Sequence, residues 1–222
     1  MLVTLTVAVG GTPALAAPAT TTLTTTASAG VTIGGSISDS AMLSGATSPT
    51  GSVTFTVYGP NDSTCAKGAV ATLVVAVTGP GPYVSPGFVP QSPGTYNFTA
   101  AYSGDGANAA SSESCGGANE SVVVAQASPG LVTMAAPAQV ALGSAVTDTA
   151  TISGGDNPGG SISFALYGPN DPGCAHAPIS QVTDTVRGDG SYTAASSPSS
   201  PGSYLYTASY SGDTDNRAVS GT

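Results

Sequence analysis

VTFTVYGPND, at Val53–Asp62, and ISFALYGPND, at Ile162–Asp171, are two copies of the motif that decides the fold. Tyr58 of the first copy is matched by Tyr167 of the second. In both copies apolar residues alternate with Thr, Ser or Ala before a Gly-Pro pair, which is typical of a half-buried β-strand that ends in a turn. The motif therefore predicts the same strand and turn twice in the chain.

A second duplicated segment indicates that a whole domain is repeated. SPGTYNFTAAYSGD, at Ser92–Asp105, returns as SPGSYLYTASYSGD, at Ser200–Asp213, with nearly the same offset as the tyrosines. This period far exceeds the repeat of a solenoid and matches the size of a domain. We therefore predict an N-terminal segment at 1–18, one domain at 19–125 and a second domain at 126–222.

Turn residues and strand patterns fill both predicted domains. The chain holds 30 glycines and 17 prolines, and no stretch combines helical periodicity with helix-forming residues. About seven short strands per hundred residues predict an all-β antiparallel sandwich. Gly94 precedes Tyr96 by two residues and Phe98 follows it by two, which is the pattern of a tyrosine corner. Tyr204 repeats this pattern in the second domain.

These segments resemble the immunoglobulin-like repeat domains of large bacterial secreted and surface proteins. The resemblance is carried by TGSVTFTVYG at Thr50–Gly59, PGTYNFTAAYSGD at Pro93–Asp105 and the closing strand ESVVV at Glu120–Val124, and it extends over about residues 19–222. It implies two tandem immunoglobulin-like antiparallel β-sandwiches. It also implies a spacer or adhesive module whose partners are further repeats or other domains of a longer chain.

Charge and composition exclude several classes of function. The chain has 3 Lys and Arg against 12 Asp and Glu, a formal net charge of −9. Nucleic acids and anionic membrane surfaces need clustered basic residues, so we expect neither as a partner. The single histidine, His176, has no counterpart in the first repeat, where Lys67 stands instead. A single unduplicated histidine in a loop with Gly and Pro is most simply a surface residue, so we predict that the protein is not an enzyme.

The N-terminal segment has two interpretations. Leu2–Val9 is apolar but too short to span a bilayer, so we expect no membrane insertion there. Ala14–Ala16 has the small-x-small pattern of a secretory cleavage site, although no Lys or Arg occurs before Lys67. Alternation from Val3 to Val9 also fits a β-strand. The cleavage pattern favours a signal peptide, and hence a secreted or cell-surface protein.

Two duplicated turns are candidates for a calcium site. Asp105 and Asn108 recur as Asp213 and Asn216 with the same spacing. Oxygen ligands in loops are the kind that Ca²⁺ prefers, but the EF-hand spacing is absent and few carboxylates cluster there. Asp and Asn also cap tight turns through their own backbone. We therefore expect structural turns and no cofactor, with Ca²⁺ as the alternative.

The cysteines predict one disulfide. Cys65 follows the first Tyr-Gly-Pro-Asn-Asp turn, Cys115 lies downstream of Tyr102, and Cys174 matches Cys65. We predict a Cys65–Cys115 bond, which suits a secreted chain, and an unpaired thiol at Cys174. In an immunoglobulin-like sandwich these two loops lie at opposite ends, beyond disulfide reach. The bond therefore requires 109–114 to run back along the sheet, or 59–64 to fold over.

The second domain is expected to be incomplete. The position that lies as far beyond Tyr210 as Cys115 lies beyond Tyr102 falls one past Thr222. The sequence therefore ends before the counterparts of Cys115 and of the strand at Glu120–Val124. We expect an exposed strand edge in this domain, which invites pairing with another chain. Met1–Val9 of a neighbouring molecule is one candidate for such strand addition.

Two classes of function remain open. The leading interpretation is a non-enzymatic spacer, because Pro129 and Pro137 in the connecting region favour extended, semi-rigid geometry. The alternative is an adhesin that recognises a glycan or a protein through apical loops. The segment Val84–Gln91 differs from Thr193–Ser199, as an adhesin would require, but it is not rich in aromatic residues.

Overall fold

The computed structural model describes residues 16–221, and within this range the chain is all-β, without a helix. The predicted all-β class of antiparallel sandwiches is confirmed. The sixteen strands are β1 (Thr22–Ala27), β2 (Val31–Thr32), β3 (Asp39–Ser44), β4 (Ser52–Tyr58), β5 (Ala71–Ala76), β6 (Tyr83–Val84), β7 (Gly94–Tyr102), β8 (Ser111–Ser112), β9 (Ser121–Ala125), β10 (Gly130–Ala136), β11 (Val146–Ser153), β12 (Ser161–Tyr167), β13 (Ser180–Thr185), β14 (Gly190–Ser196), β15 (Leu205–Tyr210) and β16 (Val219–Ser220).

The strands from β1 to β9 form two sheets, which make up the first half of the chain (residues 16–126). One sheet has the order β1-β3-β6, and the other has the order β2-β9-β7-β4-β5, with β8 also paired to β7. Neighbouring strands are antiparallel except β2 and β9, where Val31 lies opposite Val124 in a parallel pair. This pair places a strand from the start of the first half beside the strand that ends it.

The strands from β10 to β16 repeat this arrangement in the second half (residues 127–221). One sheet has the order β10-β11-β14, and the other has the order β13-β12-β15-β16. Each of these strands corresponds to one in the first half, but among residues 130–220 no strand corresponds to β2 or β9. The named strands of each half pair only within that half. The exact boundaries at 125 and 126 stay a prediction.

Each half has a core between its two sheets, as alternation in the strands predicts. In β4 and β12 every second residue is buried, with Phe55 and Phe164 at the centre. The main cluster of the first half is Leu23, Ala41, Leu43, Val53, Phe55, Val77, Tyr83, Ala100 and Tyr102. That of the second half is Leu131, Ala150, Ile152, Ile162, Phe164, Val186, Ala194, Ala208 and Tyr210.

The first half has an additional core cluster, which also takes in the first residue of the second half. Its members are Ile33, Ile37, Val57, Tyr96, Phe98, Val122, Val124 and Ala127. Both inward valines of β9 belong to it, so this cluster depends on a strand that has no counterpart among residues 130–220.

The N-terminal predictions fall largely outside the described range. Residues 1–15, which hold the apolar stretch and most of the cleavage pattern, are not described, so the choice between signal peptide and strand stays open. Among residues 16–221 there is no helix with the length and apolar character that a membrane span requires.

Candidate functional site

Both corner tyrosines bond to the backbone four residues upstream. The Tyr96 hydroxyl donates to the carbonyl oxygen of Ser92 at 2.9 Å, and the Tyr204 hydroxyl donates to that of Ser200 at 2.7 Å. A bond of this kind, from the start of a strand back to the preceding loop, defines a tyrosine corner. It fixes the loop that leads into β7 and the corresponding loop before β15.

The glycine of the Tyr-Gly-Pro motif makes room for the corner ring. Gly59 has a φ of +145°, and a Cβ there would lie 2.6 Å from Cδ1 of Tyr96. Gly168 has a φ of +134° and the same 2.6 Å approach to Tyr204. Any other residue would meet both a strained backbone and a ring it cannot avoid. In each half, therefore, the Tyr-Gly-Pro turn packs directly against the corner tyrosine of the second duplicated segment.

An aspartate orders the cysteine loop in each half. The Asp62 carboxylate accepts hydrogen bonds from the backbone N–H groups of Ala66 at 3.1 Å and Lys67 at 2.9 Å. Asp171 accepts the corresponding bonds from Ala175 and His176, at 2.9 and 3.0 Å. The side chain of His176 is 85% exposed and lies 3.3 Å from the Asp171 carboxylate. The lone histidine therefore closes a surface loop.

The structure contains the Cys65–Cys115 disulfide, with the two Cα atoms 6.1 Å apart. The cysteines meet because β8 runs back along β7, with Ser112 opposite Ala101. This is the first of the two routes that the bond requires. Cys174 is a free, half-buried thiol. The second half therefore presents the same ordered loop with an unused cysteine.

Hydrogen bonds occupy the candidate calcium ligands of the first half. The Asp105 carboxylate accepts from the backbone N–H groups of Thr50, Ala107 and Asn108 at 2.7–2.8 Å. These bonds, led by that from Thr50, hold the pKa of Asp105 well below its usual range. The Asn108 side chain bonds to Thr47 at both its oxygen and its nitrogen. The two residues thereby staple the turn after β7 to the loop before β4.

The second half repeats this staple. Burial alone would raise the pKa of Asp213, but hydrogen bonds from Gly159, Asn216 and Asp215 outweigh it and lower the pKa to about 2. The Asn216 side chain bonds in turn to the backbone of Asp156. Within residues 16–221 no group of three or more His, Cys, Asp or Glu is placed to hold a metal ion. That these turns are structural and hold no cofactor stays a prediction, with Ca²⁺ as the alternative.

The segment considered as an adhesive loop is attached to the sandwich. Phe88 exchanges two backbone hydrogen bonds with Ile37, both 2.8 Å long. Its ring centroid lies 6.1 Å from that of Tyr96. Val84 and Val89 on either side are 57% and 46% exposed. The segment therefore acts partly as a strand of the sandwich edge, and recognition through it stays a prediction.

The connection between the halves is bonded to the second half immediately after β9. The backbone N–H of Ala127 donates to the carbonyl of Asp215 at 2.8 Å, and that of Arg217 donates to the carbonyl of Ala127 at 2.9 Å. The Gln126 side chain donates to the carbonyls of Asp213 and Thr214, at 3.1 and 3.0 Å. Sequence reasoning missed this contact, because most of it is made by backbone atoms that any residue carries.

Ala127 belongs to both halves at once. It is 5% exposed and packs in the cluster that contains Val122 and Val124 of β9, while its backbone pairs with the turn at Asn216. In the first half Ala19 pairs in the same parallel way with Asn108. Each half therefore begins near a residue, Ala19 or Ala127, whose backbone is bonded to the stapled turn of the same half. Ala127 is in addition part of a core cluster of the first half.

A groove of about 700 Å³ opens in the second half, lined by residues around the start of β15. Its walls include Leu142, Val146, Leu166, Tyr204 and Tyr206. All residues from 134 to 145 on one side of it are exposed. The sequence predicted an unpaired edge here, but the cavity beside that edge emerges only once both sheets are placed.

Four carboxylates among residues 16–221 have buried oxygens without a hydrogen-bond partner, one of them Asp215, at a single oxygen. Both oxygens of Glu120 and of Asp148, and one of Asp39, have no partner there. Burial raises the pKa of Glu120 to about 7, and the charges of Asp39 and Glu113 act in the same direction. Glu120 stands at the head of β9 and is 1% exposed. No sequence pattern indicated this, since a charged residue before a strand is usually solvated.

Comparisons with known proteins assign the chain to no family. No family model matches the sequence, and no curated protein matches it. Among solved structures, the Yersinia pseudotuberculosis adhesin InvE is similar at 15% identity and a TM-score of 0.39, over 90% of this chain and 58% of that one. Red sea bream transglutaminase is similar at 12% identity and a TM-score of 0.38, over 90% and 31%. The chain spans less than two thirds of either protein, and similarities this low assign no activity.

Proposed function

We propose that the chain is a non-enzymatic spacer module of a secreted or cell-surface protein, which holds its two sandwiches in a fixed relative orientation. The observation that carries the proposal is the connection at Gln126–Ala127. Ala127 is buried in the core cluster of the first half, while its backbone is bonded to the Asp213–Arg217 turn of the second half. No free linker residue separates the two contacts, so bending requires breaking one of them.

Two further features support this proposal. A disulfide is typical of proteins in oxidising compartments outside the cytosol. Ala19 is bonded to its stapled turn as Ala127 is, so both halves begin with the same backbone pairing. A module of this type extends a chain by repetition, which suits a spacer.

Amide ¹⁵N relaxation on the intact chain tests the fixed orientation. We expect both halves to report one shared rotational diffusion tensor. Gln126→Ala removes the two side-chain hydrogen bonds to the second half and should shorten the correlation times of the separate halves. Gln91→Ala is the matched control, since Gln91 bonds only within its own loop, to Val89. Independent tumbling of the halves in the unmodified chain would contradict the spacer proposal.

A further inference from the structure

Strand β5 forms an open edge of the first half. It stands last in the sheet order β2-β9-β7-β4-β5, and within the described part of the chain it pairs with no strand other than β4. One place beyond this ladder, the N–H of Val77 donates to the carbonyl of Gly51 at 2.9 Å. Because bonding residues alternate along an antiparallel strand, the odd-numbered residues of β5 bond to β4. Thr72, Val74 and Ala76 therefore direct their N–H and C=O groups to the open edge.

This edge and the strands beside it carry no charge. The adjacent strands β5, β4 and β7 contain no Asp, Glu, Lys, Arg or His. Val74 is 60% exposed on the outer face of β5, and Val70, just before the strand, is 45% exposed. Natural sheets usually protect such an edge with charged residues or proline, and β5 contains neither.

The corresponding edge of the second half has the protection that β5 lacks. Strand β13 stands last in its sheet and is paired to β12, as β5 is to β4. The registers of the two pairs align Val74 with Thr183 and Val75 with Asp184. Asp184 is exposed, and an exposed charge on an edge strand opposes pairing with a second strand. The two repeats thus share an edge, but only the first leaves it uncharged.

We propose that β5 is a dimerisation edge, at which it pairs antiparallel with β5 of a second copy of this chain. Two features select a second copy as the partner. Chains of net charge −9 repel each other, and at the uncharged strands β5, β4 and β7 their approach brings the fewest like charges together. An antiparallel pair of identical strands is also self-complementary about a two-fold axis, which is the symmetry that closes a dimer.

The open backbone groups of β5 fix the register of this pair. All three outward residues bond across the edge when Val74 lies opposite the partner's Val74 and Thr72 lies opposite the partner's Ala76. In that register each opposed pair exchanges both of its backbone hydrogen bonds, and the two Val74 Cα atoms lie about 5.5 Å apart at the axis. Strands of 6 residues bury less area than a standard interface, so we expect a dimer that dissociates on dilution.

Analytical ultracentrifugation of the intact chain, from about 10 µM to about 1 mM, measures the association. We expect the average mass to rise with concentration toward that of two chains. Val74→Lys should weaken association about tenfold, since it places two like charges directly opposite each other at the axis. Thr183→Lys is the matched control, because it adds the same charge at the equivalent position of β13 and should leave association unchanged.

A cross-link tests the register. In a chain carrying Cys174→Ser, which removes the free thiol, Val74→Cys should give a disulfide-linked dimer with oxidised glutathione as the oxidant, because the two Cα atoms lie within disulfide range. Thr72→Cys is the control. In the proposed register Thr72 lies about 14 Å from its own copy, since the two are four residues apart along the paired strands, and it should not cross-link.

Two outcomes would overturn the dimerisation edge. One is a chain that stays monomeric up to about 1 mM. The other is an association that Val74→Lys and Thr183→Lys weaken equally, or that neither weakens. A dimer that Thr72→Cys cross-links more readily than Val74→Cys would overturn the register.

Discussion

Replacing both Cys65 and Cys115 with serine opens a loop whose ends are 50 residues apart in sequence. In the chain-entropy model, releasing a loop of this length lowers the free energy of unfolding by about 4 kcal/mol. That is a large share of the stability of a typical domain, roughly 5–15 kcal/mol. For a domain of this size, it corresponds to a fall in Tm of roughly 20 °C.

The assay must separate the two halves. Hydrogen exchange followed by mass spectrometry reports protection peptide by peptide, so the loss should appear in β3, β4 and β7 and not in β11, β12 and β15. Cys174→Ser is the matched control, because it changes the same position of the repeat without opening a bond, and it should shift stability by less than about 0.5 kcal/mol. A double variant that loses no more than this control would refute the reasoning.

Further predictions concern a carboxylate, a glycine and the stapled turns. Because burial raises the pKa of Glu120 to about 7, its contribution to stability falls as pH rises from about 4.5 to about 7. Glu120→Gln should remove this loss, which is worth roughly 3 kcal/mol at pH 8, and urea melts at pH 4 and pH 8 measure it. Gly59→Ala should lower the free energy of unfolding by about 3 kcal/mol in denaturant titrations, because the new Cβ would meet the Tyr96 ring. Gly79→Ala is the control: Gly79 also has a positive φ, +129°, but open space around it, so the loss should be about 1 kcal/mol. Millimolar Ca²⁺ should leave the thermal melt unchanged, since hydrogen bonds already occupy Asp105; a rise in Tm would contradict that.

The fold follows from local patterns that tertiary contacts reinforce. Alternation at Val53–Val57 predicts a strand with one buried face, and β4 has that face. Tyr96 and Tyr204 each combine a glycine two residues before with a hydroxyl that bonds upstream. These features depend on residues that are close in sequence, and the repeat shows each pattern twice. They can therefore be predicted from the sequence.

The rest depends on packing that no local pattern encodes. The orientation of the halves depends on backbone groups of Ala127, Asp215 and Arg217, which carry no side-chain signature. The groove exists because two sheets meet without a strand between them, and its size follows from their spacing. Glu120 is buried because the loops around it close over the sandwich, and a polar residue before a valine run does not reveal that.

The parallel pair between β2 and β9 also has a mechanical consequence. A pull on the two ends of the first half draws these strands in opposite directions along their length, so the hydrogen bonds at Val31–Val124 and Thr32–Ala125 carry the load together, in shear. In the second half no such pair exists within residues 127–221. Under tension we therefore expect residues 127–221 to unfold at a lower force than the first half.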